Sequence, residues 1–193
     1  MTPAWLSPPV GPAAAIAQAG VAAVPVLTTV RLRLRGPVLQ DYPAYETVFT
    51  SARSVHIGGP FTPEGSFADF CQGVAGWALR GAGMWTLTSL QDDAPLGWVY
   101  LWQEMGDPEP ELGWVLTQAA EGKGFAAEAA RAVLPHALTL YGPLGFVSYI
   151  DAANHRSARL ALALGACRDA VAEAALADPD LHIYRHTGTG GIK

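Results

Sequence analysis

The sequence predicts an α+β fold built on a central mixed, mostly antiparallel sheet with helices on its faces. Half of its 193 residues are apolar, which is enough to bury the core of one domain. Hydrophobic spacing switches repeatedly between strand and helix periods, and it gives the order β-α-α-β-β-β-α-β-α-β-β. Two short helices follow the first strand directly, which is not the pattern of a parallel βαβ sheet. Short turns join the three strands in the middle, as between antiparallel neighbours.

Three short patterns predict the first strand and the two helices after it. Residues 31–35 alternate strictly between Arg and Leu, as a half-buried strand does. Apolar side chains at helical spacing then predict helices over 39–52 and about 66–80. A turn rich in Gly and Pro, at 58–65, separates the two helices.

A meander of three strands is predicted in the middle of the chain, over residues 84–90, 96–103 and 111–116. Acidic turns that contain proline, at 91–95 and 106–110, join these strands. On the second strand Trp98, Tyr100 and Trp102 share one parity and therefore one face. We interpret them as a packing surface rather than as an aromatic cage for a ligand.

The last part of the chain is predicted to contain a helix over about 122–140, a strand over 146–151, a helix over about 155–164 and strands near 166–172 and 180–186. Pro135 lies inside the first of these helices and should kink or break it. Residues 188–193 are predicted to be a flexible tail.

The N-terminal segment differs from the rest, because residues 1–30 contain no Asp, Glu, Lys or Arg. Its apolar part, 13–27, is shorter than the roughly 20 residues that span a bilayer. A secretory signal needs a basic start, and the first basic side chain is Arg31. We assign 1–27 as an extension that packs on the domain or, in a homodimer, on a second copy, and a degenerate leader is the alternative. Residues 28–187 form a single predicted domain.

Composition argues against several classes of function. The net charge of −5, from 17 acids and 12 bases, disfavours binding to nucleic acid. Cys71 and Cys167 lack CxxC or Cys/His spacing, so we expect small core residues in a reducing, cytoplasmic compartment, with neither a disulfide nor a metal. No segment predicts a membrane anchor.

A glycine-rich segment before the long helix is the strongest functional signal. Gly122 and Gly124 let the backbone approach an anion, Lys123 adds a cation, and Ala126 and Ala127 keep the first turn small. The free amides and the dipole of a helix start favour a phosphate there. The alternative is a glycine turn before an amphipathic helix, with no ligand.

Three phosphate-binding patterns compete for this segment. A P-loop, GxxxxGK[ST], does not occur in the sequence. A dinucleotide fingerprint, GxGxx[GA], fits Gly122, Gly124 and Ala127, but residues 117–121 separate it from the preceding strand. The pattern [QR]xxGx[GA] fits in every position except the first, where Glu121 stands.

With three further segments, these residues make the sequence resemble the GCN5-related N-acetyltransferases (GNAT), in their ribosomal-protein and alanine N-acetyltransferase-like branch. Residues 111–116 are similar to the strand before that family's cofactor loop, and 122–130 to the loop and its helix. An asparagine, a serine and a Leu-Gly pair follow in the family's order within 154–165, and Val30–Leu34 is similar to its opening strand. The resemblance covers about 28–187 and implies a GNAT-like fold.

The resemblance also implies acetyl-CoA as the acetyl donor, and no metal. The pyrophosphate would rest on the amides of the glycine loop, and the pantetheine arm would pair with the end of the preceding strand. The cofactor-binding residues implied in this way are Val115, Leu116, Thr117, Gly122, Lys123, Gly124, Phe125, Ala126, Ala127, Asn154 and Ser157. Asn154 is also a good helix N-cap by its residue type alone. Glu121 departs from the family, and its carboxylate either points away from the phosphates or weakens donor binding.

Acetyl transfer to an amine needs a base and a donor for the thioester oxygen. A primary amine is mostly protonated at neutral pH, so a carboxylate must take its proton. We name Glu111 as the base, with Glu104 and Asp151 as substitutes, and a solvated strand-end carboxylate is the alternative for Glu111. The amide of Val115 or Leu116 is the candidate donor.

The reaction also needs an acid that protonates the leaving thiolate. Ala161 stands where several family members carry a tyrosine. We name Ser157 as the substitute, with water as its rival.

The sequence thus predicts an N-acetyltransferase that acts on a primary amine, either a protein N-terminus or a small amine. Residues 81–122 contain acids but no Lys or Arg, which indicates a solvated acidic face or one that attracts a cationic amine. The alternatives are a non-catalytic acyl-CoA-binding or sensing module, a dinucleotide-dependent enzyme, and a domain kept for subunit contacts.

Overall fold

The structure is a computed structural model that describes residues 3–142, 145–176 and 178–187. It contains an eight-stranded sheet in the order β1-β2-β3-β4-β5-β6-β8-β7. The strands are β1 (Leu27–Thr28), β2 (Leu32–Arg35), β3 (Met84–Ser89), β4 (Pro95–Trp102), β5 (Glu111–Leu116), β6 (Phe146–Asp151), β7 (Cys167–Arg168) and β8 (Leu181–His186). Neighbouring strands are antiparallel except β5 and β6, which are parallel. The predicted fold class is confirmed.

Helices cover both faces of this sheet. They are α1 (Pro12–Ala22), α2 (Tyr42–Phe49), α3 (Pro63–Arg80), α4 (Phe125–Tyr141), α5 (His155–Ala163) and α6 (Ala170–Leu176). Helix α4 packs Ala129, Val133 and Ala137 into a core with the side chains of β2, β3, β4 and β5. Helices α2 and α3 build a second, aromatic core on the other face. Alternation along each strand supplies one side chain to each core in turn.

The aromatic core shows that one face of β4 packs against helices, and two side chains of that face, Tyr100 and Trp102, also line a cavity described below. Trp98, Tyr100 and Trp102 are buried there against α2 and α3. The rings of Tyr45 and Trp98 meet edge to face with centroids 4.9 Å apart, which is a favoured aromatic arrangement.

The N-terminal extension packs on the domain at the two ends of α1, while α1 itself buries no side chain. Before the helix, the Trp5 ring lies 5.0 Å from that of Phe67. After it, Val24 is buried and the Trp85 indole donates a hydrogen bond of 2.7 Å to the Pro25 carbonyl. In the described ranges, no helix is long and apolar enough to cross a membrane. The predicted flexible tail, 188–193, lies outside the described residues.

Of the kink or break expected at Pro135, the break does not occur, because helix α4 continues through this residue. One predicted element in the C-terminal half was wrong. The strand expected over 166–172 is shortened to β7, and α6 follows it. The Asp169 carboxylate accepts a hydrogen bond of 3.0 Å from the Ala172 amide, so an N-cap followed by an alanine-rich run makes this segment helical.

The expectation that both cysteines are core residues was also wrong. Cys71 and Cys167 are exposed free thiols. Cys71 follows the buried Phe70 on α3 and so points to another side of the helix. Cys167 belongs to a two-residue strand at the edge of the sheet.

Candidate active site

The sheet opens between its two parallel strands. One residue pair, Glu111 with Val147, joins β5 to β6. The Val147 amide donates to the Pro110 carbonyl at 2.9 Å, and the Ser148 hydroxyl donates to the Leu112 carbonyl at 2.5 Å. Beyond Leu112 the two strands diverge, so the second half of β5 has a free edge that faces a cleft.

The glycine loop closes one end of this cleft. Gly122 and Gly124 have φ values of 72° and 77°, in the left-handed region that glycine tolerates best. A Cβ built at Gly122 would meet no atom within 4 Å, so this part of the loop is open on its outer side. The first hydrogen bond of α4 runs from Glu128 to Gly124, which leaves the amides before it without a helical partner.

Arg31, at the start of the domain, holds this loop from outside. Its guanidinium donates to the Lys123 carbonyl at 2.9 Å and pairs with the Glu128 carboxylate at 2.6 Å. It also lies 4.7 Å from the centre of the Phe125 ring, in a cation–π contact. The loop conformation is therefore fixed by a residue far away in the sequence.

Glu121 forms ion pairs at the rim of the cleft. Its carboxylate lies 2.5 Å from the Arg53 guanidinium and 2.8 Å from that of Arg156. The hydrogen bond from Arg156 lowers the pKa of Glu121, so the carboxylate is charged and paired at neutral pH. One acid between two arginines leaves an excess of positive charge beside the loop.

Two neighbouring cavities make up the cleft. The loop cavity, of about 460 Å³, is lined by the glycine loop, Arg53 and Arg156. The acid cavity, of about 630 Å³, lies on the side of α3 and β4. The residues that line both cavities, and that we call the junction, are His56, Ile57, Trp114, Val115, Asn154 and Ser157.

Most of the residues predicted to bind a cofactor line the loop cavity. They are Val115, Leu116, Gly122, Gly124, Phe125, Ala126, Ala127, Asn154 and Ser157. Thr117 and Lys123 do not line it. The amide and hydroxyl of Thr117 donate to the Leu96 carbonyl, and the Lys123 carbonyl accepts from Arg31.

The hydrogen-bond ladder between β4 and β5 distinguishes the two candidate amides, those of Val115 and Leu116. Because the Thr117 amide donates to Leu96, two-residue alternation directs the amide of Val115 to β4 as well. The amide of Leu116 then faces the free edge. Val115 is therefore excluded as the donor to a ligand oxygen, and Leu116 remains.

Asn154 caps helix α5 at the junction. Its side-chain oxygen accepts a hydrogen bond of 3.1 Å from the Ser157 amide, so capping, predicted from residue type, is confirmed. Both side chains also line the two cavities. Ala161, where a tyrosine would have supplied an acid, is fully buried.

Carboxylates surround the acid cavity: Asp69, Glu104, Asp107, Glu111 and Asp178. Among the described residues that line it there is neither Lys nor Arg. Burial, followed by repulsion from Asp107 and Glu104, raises the pKa of Glu111 to about 8. Burial, then Asp69 and Asp107, raises the pKa of Glu104 to about 7.

The acids of residues 81–122 thus lie in two environments: some form ion pairs outside the cleft, and others line the acid cavity. Glu109 turns away from the cleft and forms a bidentate pair with Arg185, at 2.6 and 2.7 Å. Asp93 is bound by Arg33 and Arg35 at the other end of the sheet. Glu104 and Glu111 remain in the cavity, so the uniform solvated face is not what the structure contains.

The sequence analysis missed a hydrogen-bonded chain in the wall of the acid cavity. Tyr45 of α2 donates to the Asp69 carboxylate, and Tyr100 of β4 donates to the Tyr45 hydroxyl at 3.1 Å. Burial raises the pKa of Asp69. Three separate elements supply this chain, so no local pattern could mark it.

His56 and Asp151 form a second unpredicted pair. The His56 Nδ1 lies 3.1 Å from an Asp151 carboxylate oxygen. The hydrogen bond from His56 lowers the pKa of Asp151. Asp151 was named as a substitute base, and this partner makes it a weaker proton acceptor than Glu111.

The splayed parallel pair in an antiparallel sheet and the glycine loop that opens a helix beside it define an acetyltransferase fold. The sequence model of the acetyltransferase (GNAT) domain matches residues 31–166. The chain belongs to the GNAT family, as its motifs predicted.

Solved structures agree with this assignment. An acetyltransferase from Agrobacterium tumefaciens is 35% identical, with a TM-score of 0.79 over 84% of this chain and 94% of that chain. The ribosomal L7/L12 α-N-protein acetyltransferase RimL in complex with coenzyme A shares the fold at 15% identity, with a TM-score of 0.63 over 84% and 98%. The microcin C7 self-immunity acetyltransferase MccE, in complex with acetyl-CoA and AMP, does so at 15% identity and a TM-score of 0.59 over 82% and 93%. A comparison with curated proteins finds no match.

The structure argues against the alternative of a dinucleotide-dependent enzyme. Its fingerprint requires a βαβ unit around the glycine loop. Here β5, the strand before the loop, follows β4 as an antiparallel neighbour, and a short 3-10 helix, Gln118–Ala120, intervenes.

Proposed function

We propose that the protein transfers an acetyl group from acetyl-CoA to a primary amine by direct attack within a ternary complex. The observation that carries the proposal is the meeting of two unlike cavities at one junction. One cavity offers backbone amides and arginines to an anion, and the other offers carboxylates to a cation. A donor with phosphates and an acceptor with an ammonium group would each find a complementary half.

The residues of the loop cavity fit the donor. The amides at the start of α4 and the guanidinium groups of Arg53 and Arg156 would hold its pyrophosphate, and the free edge of β5 would pair with its amide-containing arm. Acetyl-CoA supplies the activated acetyl group. The complexes of RimL with coenzyme A and of MccE with acetyl-CoA support this choice of donor.

The acid cavity would receive the amine. Glu111 takes the proton that an ammonium group must lose before its nitrogen can attack, and its raised pKa makes it a better base than an exposed carboxylate. The amide of Leu116 donates to the oxygen on which charge develops. The remaining carboxylates attract the cation and orient it toward the junction.

A non-catalytic acyl-CoA-binding or sensing module is the second candidate. The buried Ala161 favours it, because this position supplies no acid to the leaving group. The two candidates share the loop cavity and differ in turnover alone.

Incubation of the purified protein with acetyl-CoA and a mixed library of primary amines and N-terminal peptides tests the proposal. We expect release of free thiol, together with one class of amine that gains an acetyl group by mass spectrometry. Thermal protection by acetyl-CoA without transfer to any amine would favour the binding module. Absence of protection by acetyl-CoA would contradict both candidates.

We also propose a cytoplasmic location. The two exposed free thiols support it, since such thiols persist in a reducing compartment.

A further inference from the structure

His56 occupies an unusual position between the two cavities. It follows the short 3-10 helix Ala52–Ser54 and lines both the loop cavity and the acid cavity. Its side chain is 38% exposed, so the imidazole can reach a ligand while one of its nitrogens is bound. No sequence motif marks this residue.

Asp151 fixes the orientation of that imidazole. It ends β6, its Oδ1 accepts a hydrogen bond of 2.7 Å from the Ala153 amide, and its Oδ2 faces the His56 Nδ1. Its own carbonyl accepts from the Asn154 amide at 2.8 Å, which ties it to the start of α5. Because Nδ1 is engaged, Nε2 is the nitrogen left for the cleft.

The other side chains at the junction cannot do the same chemistry. Ile57, Trp114 and Val115 carry no group that exchanges a proton near neutral pH. The Asn154 oxygen is occupied by the helix cap, and an amide does not titrate. Ser157 has a hydroxyl, which can relay a proton but holds its own too tightly to act as the primary acid. Imidazole is the side chain that exchanges a proton in this range.

We propose that His56 is the general acid that protonates the leaving sulfur of coenzyme A, and that Asp151 is its positioning residue. The inference rests on the proposed acetyl transfer. The bond from the amine nitrogen to the acetyl carbon forms, and the bond from that carbon to sulfur breaks. The ammonium group first loses one proton through Glu111 to water, and the neutral amine then attacks. Glu111 takes the second proton from the nitrogen, and His56 gives its Nε2 proton to sulfur. Exchange with water then restores both side chains.

This role replaces the one that the sequence indicated for Ser157. The variants His56→Gln and Ser157→Ala separate the two candidates. We expect His56→Gln to lower kcat by about 10²–10⁴-fold with an unchanged KM for acetyl-CoA, and Ser157→Ala to have a much smaller effect. Asp151→Asn should give an intermediate loss. His182→Gln, a histidine on β8 outside both cavities, is the matched control.

Chemical rescue provides a readout that a structural role would not give. In His56→Ala, added imidazole should restore kcat with a saturating concentration dependence, and it should not do so in Ser157→Ala. Reactions without enzyme correct for direct acetylation of imidazole. Equal kcat in His56→Gln and the wild type would overturn the inference while leaving the proposed function intact.

A binding experiment tests the same contact without turnover. Coenzyme A should shift the imidazole NMR signals of His56, assigned with His56→Gln, and desulfo-coenzyme A, which lacks the sulfur, should not reproduce this shift. Identical spectra with both ligands would refute the contact. If the wild type binds coenzyme A but acetylates no amine, the proposed function fails, and this comparison still decides whether His56 meets the sulfur.

Discussion

The loop cavity and the acid cavity lie side by side, yet they are built in different ways. The loop cavity takes its anion-binding side from the backbone of one continuous segment, from the end of β5 to the first turn of α4, and residues 48–57 and 153–160 line the rest. The acid cavity takes its character from carboxylate side chains that stand on α3, on β5, in the turn before β5 and after α6. A binding surface made of backbone depends on conformation, and one made of side chains depends on charge, so substitutions should affect the two cavities differently.

Among variants of residues that line one cavity alone, removal of the proposed base should have the largest effect. In Glu111→Gln we expect kcat/KM to fall about 10²–10³-fold, because the amide cannot accept the proton of the ammonium group. In the wild type kcat/KM should rise as the pH increases through about 8, since burial raises the pKa of Glu111 and only the carboxylate acts as a base. Rate measurements across pH at saturating donor would show whether the variant lacks this rise.

Glu109→Gln is the control for that experiment. Glu109 is two residues away and binds Arg185 instead of lining either cavity. It should keep both the rate and its pH dependence. A similar loss in both variants would mean that the acid cavity does not hold the base.

A change of backbone conformation in the glycine loop should weaken binding in the loop cavity and leave the acid cavity unchanged. Gly122→Val forces a branched side chain into φ 72° and places it on the open side of the loop. We expect the Kd for acetyl-CoA, measured by calorimetry, to rise at least about tenfold, in line with strain of one to a few kcal/mol at the binding surface.

Gly142→Val is a matched control for backbone strain. Gly142 has φ 53° at the end of α4, and a Cβ there also meets nothing within 4 Å. It should lose a similar amount of stability yet bind acetyl-CoA normally. Equal loss of binding in both variants would refute a specific role for the glycine loop.

A smaller effect is expected from one carboxylate that attracts the acceptor. In Glu104→Gln the KM for the amine should rise about fivefold, because a partly buried pair of opposite charges contributes about 1 kcal/mol. The KM for acetyl-CoA should not change. A shift in both constants would show that the two cavities do not bind their ligands independently.

We expect the smallest effect when Glu121, the acid that borders the loop cavity, is replaced. Glu121→Gln releases Arg53 and Arg156 from a competing carboxylate, so donor binding should tighten about threefold. Arg53→Ala should weaken it, and this weakening should diminish as the salt concentration rises. Weaker binding in Glu121→Gln would instead mean that the carboxylate is needed to orient the arginines.

The same difference in construction explains what the sequence could predict. The glycine loop, the start of α4 and the cap at Asn154 could be predicted because each is a local sequence pattern. The order of strands and helices along the chain could be predicted from hydrophobic periodicity. His56 with Asp151, and Glu121 with Arg53, join distant parts of the chain, and spacing along the sequence carries no sign of them. Glu111 was predicted as a strand-end carboxylate beside the loop, but its raised pKa depends on neighbours that only folding brings close.

The differences between expectation and structure have local causes as well. Pro135 removes one backbone donor, and the packing of α4 on the sheet keeps the helix continuous despite it. Helix α6 was missed because its alanines fit either a strand next to β8 or a helix, and Asp169 decides between the two. Thr117 and Lys123 were assigned to the site because they adjoin the loop; they do not line the loop cavity, and their contact with a cofactor stays a prediction.

The exposed positions of Cys71 and Cys167 have a practical consequence. They are the two cysteines of the chain, on α3 and β7, and neither lines the cleft. Replacing one with serine leaves a single thiol for a maleimide fluorophore. Such a dye would follow ligand-induced changes in α3 or in the sheet edge while the cleft stays chemically untouched.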